Sequence, residues 1–307
     1  MTGRARSRWP VCRGICGGSP GSSAQTADQR PSSAHTGPVD SELETKHRTL
    51  WGQGDYAAIA EVVEPLGRLL VGAAGIGPGA RVLDVAAGTG NAAIPAAEAG
   101  ADVVATDLVP ELLDVGRARA EAAGLSLDWR AANAEALPFA DAEFDVVMSC
   151  IGVMFAPHHH DAADELTRVC RPGGTIALIN WTPEGFVGQM FATMRPYVPP
   201  PPPGVSPPPL WGSEGHVVVL LDGAVDDVVV ERRSLTVDRF PDGAAFRDHF
   251  KAHYGPTIAA YRGIADDPDR VAELDAALAQ LGDAALGDGS TMEWEYLQVI
   301  ARRAAAG

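Results

Sequence analysis

The sequence predicts an α/β fold built on a doubly wound parallel sheet with helices on both faces. Three observations carry that prediction. Short apolar runs alternate with helix-periodic stretches between Arg81 and Trp181, the spacing that strand–helix–strand units require. Pro110 stands at the start of one such helix, and Gly100 and Gly124 stand just past the ends of two, as helix termini prefer. The stretch RVLDVAAGTGN, residues 81–91, joins a buried strand to a glycine loop that opens a helix. Such loops present backbone amides to a ligand.

Along the chain, residues 1–40 are rich in Ser, Gly, Pro and Arg without apolar periodicity, the composition of a disordered tail. The tail is Arg- and Ser-rich like a targeting leader but lacks the apolar stretch of a secretory signal. Its Cys12-x-x-x-Cys16 pair has neither the second pair nor the His partners that a metal site needs.

Residues 41–303 read as one domain. Two N-terminal helices, within 41–75, break near Gly52-Gln-Gly54. The ligand-binding core, 81–181, carries a strand at Arg81–Ala87, a helix at Ala92–Ala99, a strand at Asp102–Asp107 and a helix at Pro110–Ala123. Strands at Ser126–Ala131 and Phe144–Cys150 come next, then a helix from Asp161, its expected N-cap, to Cys170. A fifth strand, Thr175–Trp181, follows the turn Pro172-Gly-Gly174. Two insertions, 183–227 and 240–290, are expected to cover the ligand crevice before a last strand at Trp294–Ala301. The first contains Pro196–Pro209, a stiff polyproline surface loop because each Pro fixes φ and lacks an N–H. In the second, Phe246, Phe250 and Tyr254 recur at helical spacing as a stripe expected to pack in the core.

Composition bounds the function. A chain of 307 residues, 46% hydrophobic, can bury a large core. Its longest apolar runs, such as Val217–Leu221, fall far short of the roughly 20 residues of a membrane helix, so no membrane insertion is expected. A net charge of −16 repels phosphate backbones and argues against nucleic acid as a partner. Four scattered cysteines make no disulfide framework and suit a reducing cytoplasm.

Ligands in doubly wound sheets sit beyond the carboxyl ends of the strands, beside the first. That gathers Ala86–Gly90, Asp107, Asn133 and Cys150–Gly152 around one crevice. The loop itself leaves two ligands open. As Gly88-x-Gly90-x-x-Ala93 it fits a dinucleotide pyrophosphate; as acid-x-x-x-Gly-x-Gly, with Asp84 in front, it suits a nucleoside carrying an amino acid. A carboxylate ahead of the loop repels pyrophosphate and favours a sulfonium with an ammonium group. Asp84 then either orders the loop amides and faces that cation or merely caps the loop. Asp107, ending the second strand, can accept from both hydroxyls of a ribose and argues against a 2′-phosphate.

Later motifs separate the two ligands. LDVAAGTGN, ATDLVPELL, ALPF, FDVVMSCIGVMF and ELTRVCRPGG, in this order, resemble the class I S-adenosylmethionine-dependent methyltransferases, most closely the small-molecule group with the ubiquinone/menaquinone C-methyltransferases. The resemblance implies a Rossmann-like, seven-stranded sheet with the last strand antiparallel, and S-adenosyl-L-methionine as cofactor. It implies that Asp84, Ala86, Gly88 and Gly90 hold the methionine end, Ala86 standing where a glycine is usual. By the same resemblance Asp107 holds the ribose and Leu108 packs on the adenine. Asn133-Ala134 replaces the usual Asp-Ala pair at the adenine amino group, and Asn can still accept from that amine. Cys150 lies at the crevice, and Trp51 and Tyr56 resemble a lid whose aromatic closes over the cofactor.

Methyl transfer is an in-line displacement that asks the protein mainly to align reactants and exclude water. The expected substrate is a small, moderately apolar acceptor. His158 and His159, just past the fourth strand, are the candidate bases. With His160 they form a run that cannot point three imidazoles one way, so no metal is expected. A non-catalytic S-adenosylmethionine-binding protein and an NAD-dependent oxidoreductase are the competing readings.

Overall fold

The structure, a computed structural model, describes residues 7–8 and 41–305. The expectation of a disordered tail therefore falls outside the described residues, except at Ser7–Arg8, which pair antiparallel with Val230 and Val229. Two helices open the domain, α1 (Ser41–Trp51) and α2 (Tyr56–Ala74). Asp55 caps α2 by accepting from the Ala57 amide at 3.1 Å.

The alternation follows as β1 (Arg81–Val85), α3 (Ala93–Glu98), β2 (Asp102–Asp107), α4 (Pro110–Ala122), β3 (Asp128–Ala131), β4 (Phe144–Cys150), α5 (His159–Val169) and β5 (Cys170–Trp181). α6 (Phe186–Met194) and α7 (Glu214–Leu221) lead to β6 (Val225–Val237). α8 (Gly243–His253), α9 (Gly255–Gly263) and α10 (Pro268–Leu286) lead to β7 (Met292–Arg303).

These strands form one sheet in the order β6-β7-β5-β4-β1-β2-β3, with the Ser7–Arg8 ladder outside β6. β7 runs antiparallel to both β5 and β6, and the four pairings among β1–β5 are parallel. The Rossmann-like α/β architecture with a reversed last strand is thus the one the sequence predicts. The chain leaves β1 toward β2 and β3, then crosses back to β4, so the crevice opens at β1 between its two neighbours.

Two local expectations are corrected. β5 starts at Cys170, opposite Phe144, and the Pro172-Gly-Gly174 turn is an excursion inside the strand before Thr175 meets Val146. Arg171 holds that excursion by donating to Asp145 at 2.5 Å. The N-cap position of α5 falls to His158, whose side chain makes no capping bond, and Asp161 lies in the first helical turn. There its charge still meets the positive end of the helix dipole.

The core lies on both sheet faces. Trp294 of β7 stacks on Phe186 of α6, ring centroids 5.4 Å apart, with Phe240 and Phe250 around it. The stripe Phe246, Phe250 and Tyr254 is buried in this cluster. α2 lies directly on the glycine loop, for a Cβ on Gly67 would stand 1.8 Å from the Asn91 carbonyl oxygen. The Asn91 side-chain amide donates to Ala60 O at 2.7 Å and locks that contact.

Candidate active site

Ala86, Gly88 and Gly90, in the loop after β1, all take left-handed backbone, with φ of 55°, 54° and 85°. Only glycine enters this region without steric penalty, so the loop holds Ala86 at a cost of about 1–2 kcal/mol. Asp107 at the end of β2 fastens the loop. One oxygen accepts from the Gly88 amide at 2.8 Å and the other from the Val109 amide at 2.9 Å. Burial pushes its carboxyl up, and the Val109, Gly88 and Leu108 amides offset part of that shift.

Asp84 contrasts with it. The carboxyl is 1% exposed, and neither oxygen has a partner in full hydrogen-bond geometry. Burial pushes its carboxyl up to about 8; the Ala93 amide offsets part of this, and Asp107 adds to it. The Gly88 amide of the loop goes to Asp107, and of the backbone amides only that of Ala93, just past the loop, acts on Asp84.

A second loop closes against the first. Gly152 after β4 approaches so closely that a Cβ there would stand 2.2 Å from Ala86 O. Ser149 bridges the two strands, donating to Val85 O at 2.6 Å and accepting from the Val153 amide at 2.9 Å. Ile151, between them, has a φ of 64°, a conformation rare for a β-branched residue and typical of functional loops.

These loops and the N-terminal helices line a partly open pocket beside the end of β1, the place where doubly wound sheets take their ligands. Among the predicted residues, Tyr56, Ala86, Gly88, Asp107, Leu108, Asn133, Ala134 and His158 line it. Asp84, Gly90 and Cys150 stand outside that lining, as does His159. Burial, and then Asp84, hold the Cys150 thiol well above its usual range. Tyr56 is held neutral by burial and then by the nearby Asp107 carboxylate.

His159 is 1% exposed, with Nδ1 2.9 Å from His216 Nε2 of α7, and its ring lies 5.6 Å from that of Trp211. Burial, and then His216, push its imidazole down to about 4. Among the described residues no group of three or more His, Cys, Asp or Glu is arranged to hold a metal.

Several lining residues were not singled out from sequence. Leu43, Glu44 and His47 come from α1, and Glu135 from the loop after β3. Glu135 accepts from the His158 backbone amide at 2.6 Å and pairs with His158 Nδ1 at 3.1 Å. The Asn133 side-chain NH₂ donates to Glu44 at 3.3 Å, while its Oδ1 accepts from the Glu135 amide at 2.9 Å. Burial, and then His158, lower the His47 imidazole. Arg119 of α4 braces the glycine loop from outside through Thr89 O at 2.7 Å and Asn91 at 2.9 Å.

The cover is aromatic. Trp51 lies 4.4 Å from Phe155 and 6.0 Å from Tyr56, centroid to centroid. No residue of 183–227 or 240–290 lines the cavity. Phe191 and Tyr254, from those insertions, pack against Phe155 and Trp51 from behind. The insertions brace the cover that α1 and α2 supply.

Comparison with known proteins places this geometry. Residues 83–178 match the methyltransferase domain family. The chain is 55% identical over 265 residues to an uncharacterized protein of Mycobacterium tuberculosis, covering 86% of this chain and 96% of that one. It is 44% identical over 115 residues to the demethylmenaquinone methyltransferase of Renibacterium salmoninarum, 38% of this chain and 47% of that enzyme. The solved structure of the YcgJ protein of Bacillus subtilis superposes with a TM-score of 0.50 at 17% identity, over 79% of this chain and 99% of that one. That last likeness speaks to the fold alone.

Proposed function

Because the chain belongs to the class I S-adenosylmethionine-dependent methyltransferases, we propose that it binds S-adenosyl-L-methionine in this cavity and methylates a small, moderately apolar organic molecule. The observation that carries the reading is Asp107. It lines the cavity at the end of β2, and each oxygen takes one amide, which leaves acceptor capacity for both hydroxyls of a ribose. The unpartnered Asp84 carboxylate behind the loop fits the same group, since it supplies negative charge where a cationic amino-acid end would lie.

When bound, S-adenosylmethionine supplies a methyl group activated by its sulfonium charge. The protein's own task is positioning. Gly88 and Ala86 offer the loop backbone, with Asn133 and Leu108 on the adenine side. Trp51, Tyr56 and Phe155 keep water out and give an acceptor an apolar wall. His158, oriented by Glu135, is the side chain placed to take a proton from an acceptor hydroxyl or acidic C–H. Among the described residues no helix is long and apolar enough to cross a membrane, and the free thiols Cys150 and Cys170 suit the cytoplasm as the site of reaction.

Calorimetric titration with S-adenosylmethionine, S-adenosylhomocysteine and NADH tests the reading. Micromolar binding of the first two without the third supports it, and labelled methyl uptake by apolar hydroxyl compounds then identifies the acceptor. Binding of NADH alone overturns it.

A further inference from the structure

β1 ends in a buried acid that no side chain answers. Asp84 lies between Ala105 of β2 and Met148 of β4 in the sheet register, two residues ahead of the cavity-lining Ala86. The ionisable groups acting on it or on its surroundings are Asp107 from β2, Cys150 from β4 and Tyr56 from α2. None of these brings a positive charge. Arg119, which reaches the loop from α4, is bound to Thr89 and Asn91 instead. Asp107 has an amide hydrogen bond on each oxygen, whereas Asp84 makes none in full geometry and has only the Ala93 amide near it. Of two neighbouring acids in one buried site, Asp107 is the better furnished with bonds that hold a negative charge.

We infer that Asp84 is protonated in the ligand-free protein and yields its proton to solvent when a cationic nucleoside settles on the glycine loop, so that the site selects its ligand by charge. The inference rests on the S-adenosylmethionine reading of the cavity. A positive charge brought near a buried carboxyl stabilises its ionised form and so opposes the push that burial gives it. The exchange balances: the O–H bond of Asp84 breaks, the proton passes to buffer, and the new carboxylate faces the ligand's cation. Ligand size and shape are then not the whole of recognition. An adenosine derivative without a charged amino group gains nothing from Asp84.

Three ligands separate the contributions. S-adenosylmethionine carries ammonium and sulfonium charges, S-adenosylhomocysteine carries the ammonium, and methylthioadenosine carries neither. Calorimetry at pH 7 in buffers of differing ionisation enthalpy counts the protons released. The first two ligands are expected to release close to one proton each, and methylthioadenosine none. Because methylthioadenosine retains the ribose, a proton from Asp107 would appear with all three ligands. Affinity for S-adenosylhomocysteine should rise by up to roughly tenfold per pH unit below the Asp84 midpoint and level off above it. Asp84→Asn should remove both the proton release and this pH dependence while leaving methylthioadenosine binding intact, which also reports that the variant folds. Independently of any variant, infrared difference spectra should show a protonated carboxyl band that disappears on adding S-adenosylhomocysteine. Binding of S-adenosylhomocysteine without proton release overturns the inference and leaves the proposed function standing. Failure of all three ligands to bind overturns both.

Discussion

Asp107 performs two tasks with one carboxylate, fastening the Gly88 amide and lining the cavity. Asp107→Ala is therefore expected to weaken S-adenosylhomocysteine binding by about 1.5–3 kcal/mol while the far-UV dichroism stays native. Unchanged affinity in a folded variant would sink the assignment. This residue was legible in the sequence because an acid at a strand end after a glycine loop has few other uses. Glu135 and Glu44 were not, because their partners lie 23 and 89 residues away along the chain. His159 shows the opposite error. Its place in a histidine run beside the crevice suggested chemistry, but helix geometry turns it inward to His216 and leaves only His158 at the cavity.

The strands and most helices were readable because each apolar period reflects which face is buried, and burial is local in sequence. What covers the crevice was not, since that depends on how distant segments pack. The insertions looked like the cover because they interrupt the alternation, yet α1 and α2 fill that place. α9 supports α1 at close quarters: a Cβ on Gly255 would stand 2.3 Å from Leu50 O. Trp51, which joins α1 to Phe155, Tyr56 and Tyr254, should matter more than its partial exposure suggests. Trp51→Ala is expected to weaken S-adenosylhomocysteine binding by about 1–2 kcal/mol, with little change in the melting of the sheet. An equal loss of stability and affinity would mean that α1 is part of the core and not a cover.

Across the whole molecule, two buried groups tilt stability in opposite directions with pH. His159 is held near 4 in the folded state, against about 6.5 when unfolded. Between those values the unfolded chain takes up a proton that the native one refuses, so stability falls as pH drops through this window, by on the order of 2 kcal/mol. Asp84 is pushed up to about 8, so the unfolded chain loses its proton first and stability falls as pH rises from about 4 to 8. Denaturant melts of the ligand-free protein should therefore show declining stability from pH 6.5 to 8, a decline that Asp84→Asn flattens. An unchanged slope in that variant would locate the alkaline loss elsewhere. Removing residues 1–40 is expected to leave ligand affinity unaltered, since the Ser7–Arg8 ladder sits outside β6, with β6, β7, β5 and β4 between it and β1. A large loss on truncation would show that the tail reaches the crevice. The cover is also nearly contiguous in the chain, with Leu43, Glu44, His47, Trp51 and Tyr56 lying within fourteen positions. One short cassette thus carries the cover as a unit: a chimera that exchanges 41–56 with a homologue is expected to alter ligand preference while β1–β7 keep their melting behaviour, which thermal unfolding and binding titrations of the chimera check.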